Sequence, residues 1–70
     1  MRWTRHACNR ATERNVTLAQ ATQVVDNPDA TFTDRKGNPC SIAEVAGRRI
    51  KVVVAADDPD LIVTVIDLDN

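Results

Sequence analysis

The sequence predicts an α+β domain in which two N-terminal helices precede a three- to four-stranded antiparallel sheet. Three observations predict it. Residues 4–26 place apolar side chains at helical spacing with polar residues between them. Asn27-Pro28 closes that stretch, because the residue before a proline resists helical geometry. Beyond it, residues 49–56 and 61–67 are valine- and isoleucine-rich runs separated by a turn cluster, as strands are. Seventy residues make one domain. A chain of this length buries only about 60% of the surface its unfolded form exposes, so marginal stability is expected.

The first helix is predicted over residues 4–15, with Thr4 as its cap and Trp3, Ala7, Cys8 and Ala11 forming an apolar stripe. His6, Arg10 and Arg14 recur every four residues and stack along one side of it. A second helix is predicted over 17–26. Thr17 and Gln20 have the spacing of a capping box, with Val16 as the staple before it and Leu18, Ala21, Val24 and Val25 on the buried side. Strands are predicted over 30–34, 40–46, 49–56 and 61–67. Arg35-Lys36-Gly37-Asn38-Pro39 is a turn cluster, and Gly47 allows a tight turn. If Asp57-Asp58-Pro59-Asp60 is a four-residue loop, Val54 faces Val63 and Val52 faces Val65. Ile50, Val52, Val54, Leu61, Val63 and Val65 then cover the helices, and Arg49, Lys51, Val53, Ile62, Thr64 and Ile66 take the other face.

Composition excludes several functions. Trp3 and Phe32 are the only aromatics, too few for a stacking platform along single-stranded nucleic acid. No apolar run approaches the roughly 20 residues that span a bilayer, and the first six residues do not form a secretory signal. A cytoplasmic location and no membrane partner are expected. There is no Gly-rich phosphate loop, and Ser41, the sole serine, sits in no nucleophile elbow. Metal ligands are too sparse for a site, so neither a metal nor a cofactor is expected. Cys8 and Cys40 lack zinc spacing and are expected to be reduced and mostly buried, although Arg5 and His6 near Cys8 leave a nucleophilic thiol open.

Charge is segregated. Residues 1–51 hold all nine Lys and Arg against five acids, while residues 52–70 hold five aspartates and no base. Such a split points to a basic surface with an anionic partner, or more simply to solvated faces. His6 begins the row His6, Arg10, Arg14. It is either an acid–base group beside phosphate-binding arginines or a histidine packed at a helix edge. Arg48, Arg49 and Lys51 form a second basic group, suited to phosphate or to protection of a sheet edge. Arg14 and Arg48 are candidate substrate contacts from these two groups. Thr64 orients a phosphate oxygen or simply fills a strand.

These residues resemble a family of small bacterial and phage domains of unknown function. Arg5-His6-Ala7 is similar to its opening pattern, Arg10 to Arg14 to its arginine-bearing helix, and Val24-Val25-Asp26-Asn27-Pro28 to the end of its second helix. Arg48-Arg49-Ile50-Lys51-Val52-Val53-Val54 and Ile62-Val63-Thr64-Val65 are similar to its last two strands. The resemblance implies a place among the RelE, BrnT and barnase-like ribonuclease toxins, which pair N-terminal helices with an antiparallel sheet and cleave RNA without metal. It implies His6 as the acid–base group, Arg10, Arg49 and Lys51 as phosphate contacts, and Thr64 as a polar strand residue in the site. A ribose 2′-hydroxyl attacking phosphorus needs a second proton-transfer group, for which Glu13, Glu44, Lys51 and the substrate itself are candidates. The expected function is a toxin-like, metal-independent endoribonuclease. The alternatives are a non-catalytic module that binds a protein partner, such as an antitoxin, a host target or a second copy, and an RNA-binding domain without cleavage.

Overall fold

The structure is a computed structural model describing residues 1–69. Among the described residues the elements are β1 (Arg2–Trp3), α1 (Arg5–Arg14), α2 (Leu18–Asp26), β2 (Ala30–Thr33), β3 (Pro39–Val45), β4 (Arg48–Ala55) and β5 (Asp58–Asp67). The strands form one five-stranded sheet in the order β1-β5-β4-β3-β2. Neighbours pair antiparallel except β1, which runs parallel to β5 with Arg2 opposite Leu61 and Trp3 opposite Ile62. The class is α+β, but the expected arrangement of two helices followed by an antiparallel sheet is overturned. A strand precedes the helices, and the sheet is mixed. Two residues cannot show an alternating pattern, so β1 leaves no signal in the sequence. Its position is set by pairing: the Thr4 amide donates to the Ile62 carbonyl at 2.9 Å, and Arg2 Nη2 lies 2.6 Å from Asp58 Oδ2.

Both helices start where the sequence places them. Thr4 Oγ1 accepts from the Ala7 amide, capping α1. The Thr17–Gln20 capping box is formed in both directions, at 3.1 and 3.0 Å. Between the helices Asn15 turns the chain at φ 56°, a left-handed conformation asparagine tolerates. Ala7, Ala11, Val16, Ala21 and Val24 pack onto Ala43, Val45, Ile50, Val52, Val54, Ile62 and Val65 of the sheet. Two expected core residues lie elsewhere. Cys8 and Leu18 are exposed, because both helices press on the sheet through alanines that allow close approach and their other flanks stay in solvent.

The last hairpin differs from its expected register. Val52 faces Val65 as predicted, but Val54 faces Ile62, with a bulge between Val53 and Val54. The loop is the two residues Ala56 and Asp57, and Asp58 pairs with Ala55 inside the strand. The extra residue of a bulge reverses the alternation beyond it. Ile62 therefore points into the core, while Leu61 and Val63 are half-buried outside it. Nothing in an all-aliphatic strand marks that reversal. We expect Ile62→Val to lower stability by about 1 kcal/mol, read as a melting temperature several degrees lower. On the register expected from the sequence this residue would lie outside the core and the change would be silent.

Candidate active site

The helices cover one face of the sheet. The other face carries Phe32 of β2, Cys40, Ile42 and Glu44 of β3, Arg49, Lys51 and Val53 of β4, and Thr64 and Ile66 of β5, as the pairings require. Against it, at the ends of β2, β3 and β4, lies the β2–β3 loop. Asp34 Oδ1 accepts from the amides of Lys36 and Asn38, both at 2.9 Å, and Asn38 Oδ1 accepts from the Ala56 amide at 3.1 Å. Gly37, at φ 85°, completes the turn. This cover explains why Cys40 and Val53 are buried on a face with no helix. Burial in turn pushes the Cys40 thiol above its ordinary value.

An open cleft of about 520 Å³ lies between this loop and β5. His6, Lys51, Thr64, Arg35 and Lys36 line it, so side chains from a helix, two strands and a loop converge there. His6 Nε2 is 3.3 Å from Thr64 Oγ1. The tautomer of the ring decides which partner donates, and either arrangement fixes the imidazole plane. Lys51 Nζ sits 5.5 Å from the centroid of the Phe32 ring, which steadies the cation against the sheet. A second, smaller cleft of about 250 Å³ runs along α1 and the edge of β5, where Arg10 and Arg14 join His6 and Thr64.

Five of the seven residues singled out in the sequence thus line one or both of two adjacent clefts: His6, Arg10, Arg14, Lys51 and Thr64. Arg49 shares the face of Lys51 but lines neither cleft, and it stands opposite Glu44. Arg48 lines neither cleft. Its Nη1 donates to the Arg14 carbonyl and lies 3.3 Å from Asp67 Oδ2, and its Nη2 donates to the Asn15 carbonyl at 3.0 Å. It caps the C-terminus of α1 and neutralises a buried carboxylate. Among the candidate second proton carriers, Glu13 pairs with Arg10 at 3.1 Å and Glu44 lies along the sheet beside Arg49, both outside the clefts. Cys8 is also outside them. Lys51 is the candidate that lies within.

The sequence marks Arg35 and Lys36 only as part of a turn. The sign that they belong to the site is two bases flanked by Asp34 and Asn38, both of which can fold a loop through backbone amides. The Asn38 amide holds the Asp34 carboxyl below its ordinary value of 3.8. A depressed folded-state value means the loop is stabilised above the unfolded value, and that stabilisation is lost as pH falls through the folded one. We expect protection of the Lys36 and Asn38 amides from hydrogen exchange to be kept at neutral pH. It should disappear in strong acid, and Asp34→Ala should abolish it at every pH. Protection independent of pH would show that the carboxylate does not hold the loop.

Among the described residues no cluster of three or more His, Cys, Asp or Glu is placed to hold a metal ion. Among the described residues no helix is long and apolar enough to cross a membrane. No curated protein and no solved structure matches the chain. A model of one family does match, over residues 3–67, from the second residue of β1 to the last residue of β5. Because that match takes in both helices and the whole sheet around the clefts, the chain belongs to the domain of unknown function family DUF4258.

Proposed function

We propose that this domain is a toxin-like endoribonuclease that works without a metal, with its site in the cleft between α1, β5 and the β2–β3 loop. The observation that carries this is the meeting of one histidine with the cations Lys51, Arg35 and Lys36 in one open, solvent-accessible cleft. Transfer of a phosphoryl bond within RNA asks for that set: a group that exchanges a proton near neutrality, and fixed positive charge where the phosphorane gathers negative charge. In the proposed step the ribose 2′-oxygen forms a bond to phosphorus, and its proton passes to the neutral imidazole of His6. The bond from phosphorus to the 5′-oxygen breaks, the electron pair leaves on that oxygen, and the Lys51 ammonium protonates it. The products are a 2′,3′-cyclic phosphate and a 5′-hydroxyl end, and solvent returns the proton from His6 to Lys51. Thr64 orients the imidazole, and Arg35 and Lys36 hold the non-bridging oxygens.

The test is incubation of the purified protein with mixed-sequence RNA in a chelator, with and without ribosomes, followed by analysis of the new ends. Cyclic phosphate ends formed in chelator are the expected result. No cleavage by folded protein in either setting would sink this reading. A second one would then stand, a non-catalytic module covered by a protein partner. It is favoured by Ile66 and Leu68, which are 38% and 45% exposed at the end of the last strand.

A further inference from the structure

From the second cleft we infer that the substrate is an extended single strand whose phosphates climb α1 one nucleotide at a time. The reacting phosphate sits at His6 and the next two sit at Arg10 and Arg14. This rests on the ribonuclease reading for its catalytic end, but the strand-binding surface can be tested without cleavage.

The two clefts are adjacent, with His6, Thr64 and Ile66 lining both, so a strand that occupies the first has the second as its neighbour. The second cleft is smaller and is lined by two arginines. His6, Arg10 and Arg14 are spaced by four residues, and each step rises about 6 Å along the helix axis. A rise of that size is close to the distance between successive phosphates of an extended strand, so each cation meets a different phosphate. Arg10 carries an ion pair with Glu13 at 3.1 Å, with side chains 47% and 56% exposed. An exposed pair of this kind contributes little and yields to a phosphate. Arg14 is half-buried, and its main chain is clamped by Arg48, so its side chain starts from a fixed base. Arg5 lies on the same helix but lines neither cleft, which makes it a control of equal charge.

The experiment measures binding of a 2′-O-methylated RNA octanucleotide, which lacks the nucleophile, as a function of salt. Each single-strand phosphate contact contributes about 0.7 to the slope of log affinity against log salt. Arg10→Ala and Arg14→Ala should each flatten that slope by about 0.7 and weaken binding about tenfold at low salt. Arg5→Ala should leave both unchanged. A double-stranded octamer should bind the wild type no better than it binds the double arginine variant. Equal effects of all three substitutions would overturn the ladder in favour of diffuse charge, and so would failure of the wild type to bind the octanucleotide. The two proposals fail separately. Cleavage untouched by Arg10→Ala and Arg14→Ala removes the ladder and leaves the ribonuclease. Arginine-dependent binding without cleavage removes the ribonuclease and leaves the ladder.

Discussion

Replacing His6 by alanine is expected to lower the rate of RNA cleavage by about 10²–10⁴-fold, the usual worth of a positioned acid–base group. His6 is the sole histidine, so no neighbour can take over a proton transfer near neutrality. His6→Gln should be as inactive as His6→Ala. Glutamine can still reach Thr64 by a hydrogen bond, but it cannot exchange a proton at this pH. Thr64→Val should cost much less, since it removes only the contact that orients the ring. None of these changes should disturb the fold. His6 is exposed on the first turn of α1, and surface substitutions are usually within about 0.5 kcal/mol of neutral. The decisive measurement is single-turnover cleavage of one defined RNA by each variant beside its thermal melt. A well-folded His6→Gln protein that cleaves at the wild-type rate would remove the histidine from the mechanism and with it the proposed site.

That expectation joins residues the sequence could offer only as separate rows. Helix starts were legible because caps are local: Thr4 and Thr17 each satisfy the amide three residues on, and spacing alone reveals them. The row His6, Arg10, Arg14 was legible for the same reason, since helical period fixes which side chains share a flank. What could not be read depends on pairing across the chain. Ile62 and Val63 are near-equal aliphatics, and only the bulge decides which is buried. The turn Arg35-Lys36-Gly37-Asn38 shows its shape in its composition, but not that Asn38 docks on the β4–β5 turn. β1 is too short to carry a pattern, and its parallel pairing with β5 changed the expected architecture.

Arg48 and Arg49 show the same limit most sharply. Adjacent in a strand, they point to opposite faces. The sequence could not say which of them faces the clefts, and in the structure neither lines one. Arg48 faces the helices, with its guanidinium shared among the Arg14 and Asn15 carbonyls and the carboxylate of Asp67, whose side chain is only 6% exposed. Arg48→Ala removes two capping bonds from the end of α1 and leaves a buried carboxylate without its counter-charge. Loss of one partner from a fully buried pair costs about 3–5 kcal/mol. The Arg48 side chain keeps 27% of its exposure, so solvent screens part of this, and about 2–4 kcal/mol is expected here. For a domain this small that lowers the melting temperature by roughly 10–25 °C. Arg48→Lys should recover only part of it, because one ammonium cannot reach three acceptors held in a guanidinium's fork. Arg48→Ala with Asp67→Ala should be more stable than Arg48→Ala alone, since the orphaned charge goes with its partner. Arg49→Ala should melt like the wild type. Below its melting point Arg48→Ala should bind the methylated octanucleotide with the wild-type salt slope, because its charge never faces the strand. A variant that melts normally but loses one phosphate contact would place Arg48 in the cleft with Arg14 and overturn its role as the clamp at the end of α1.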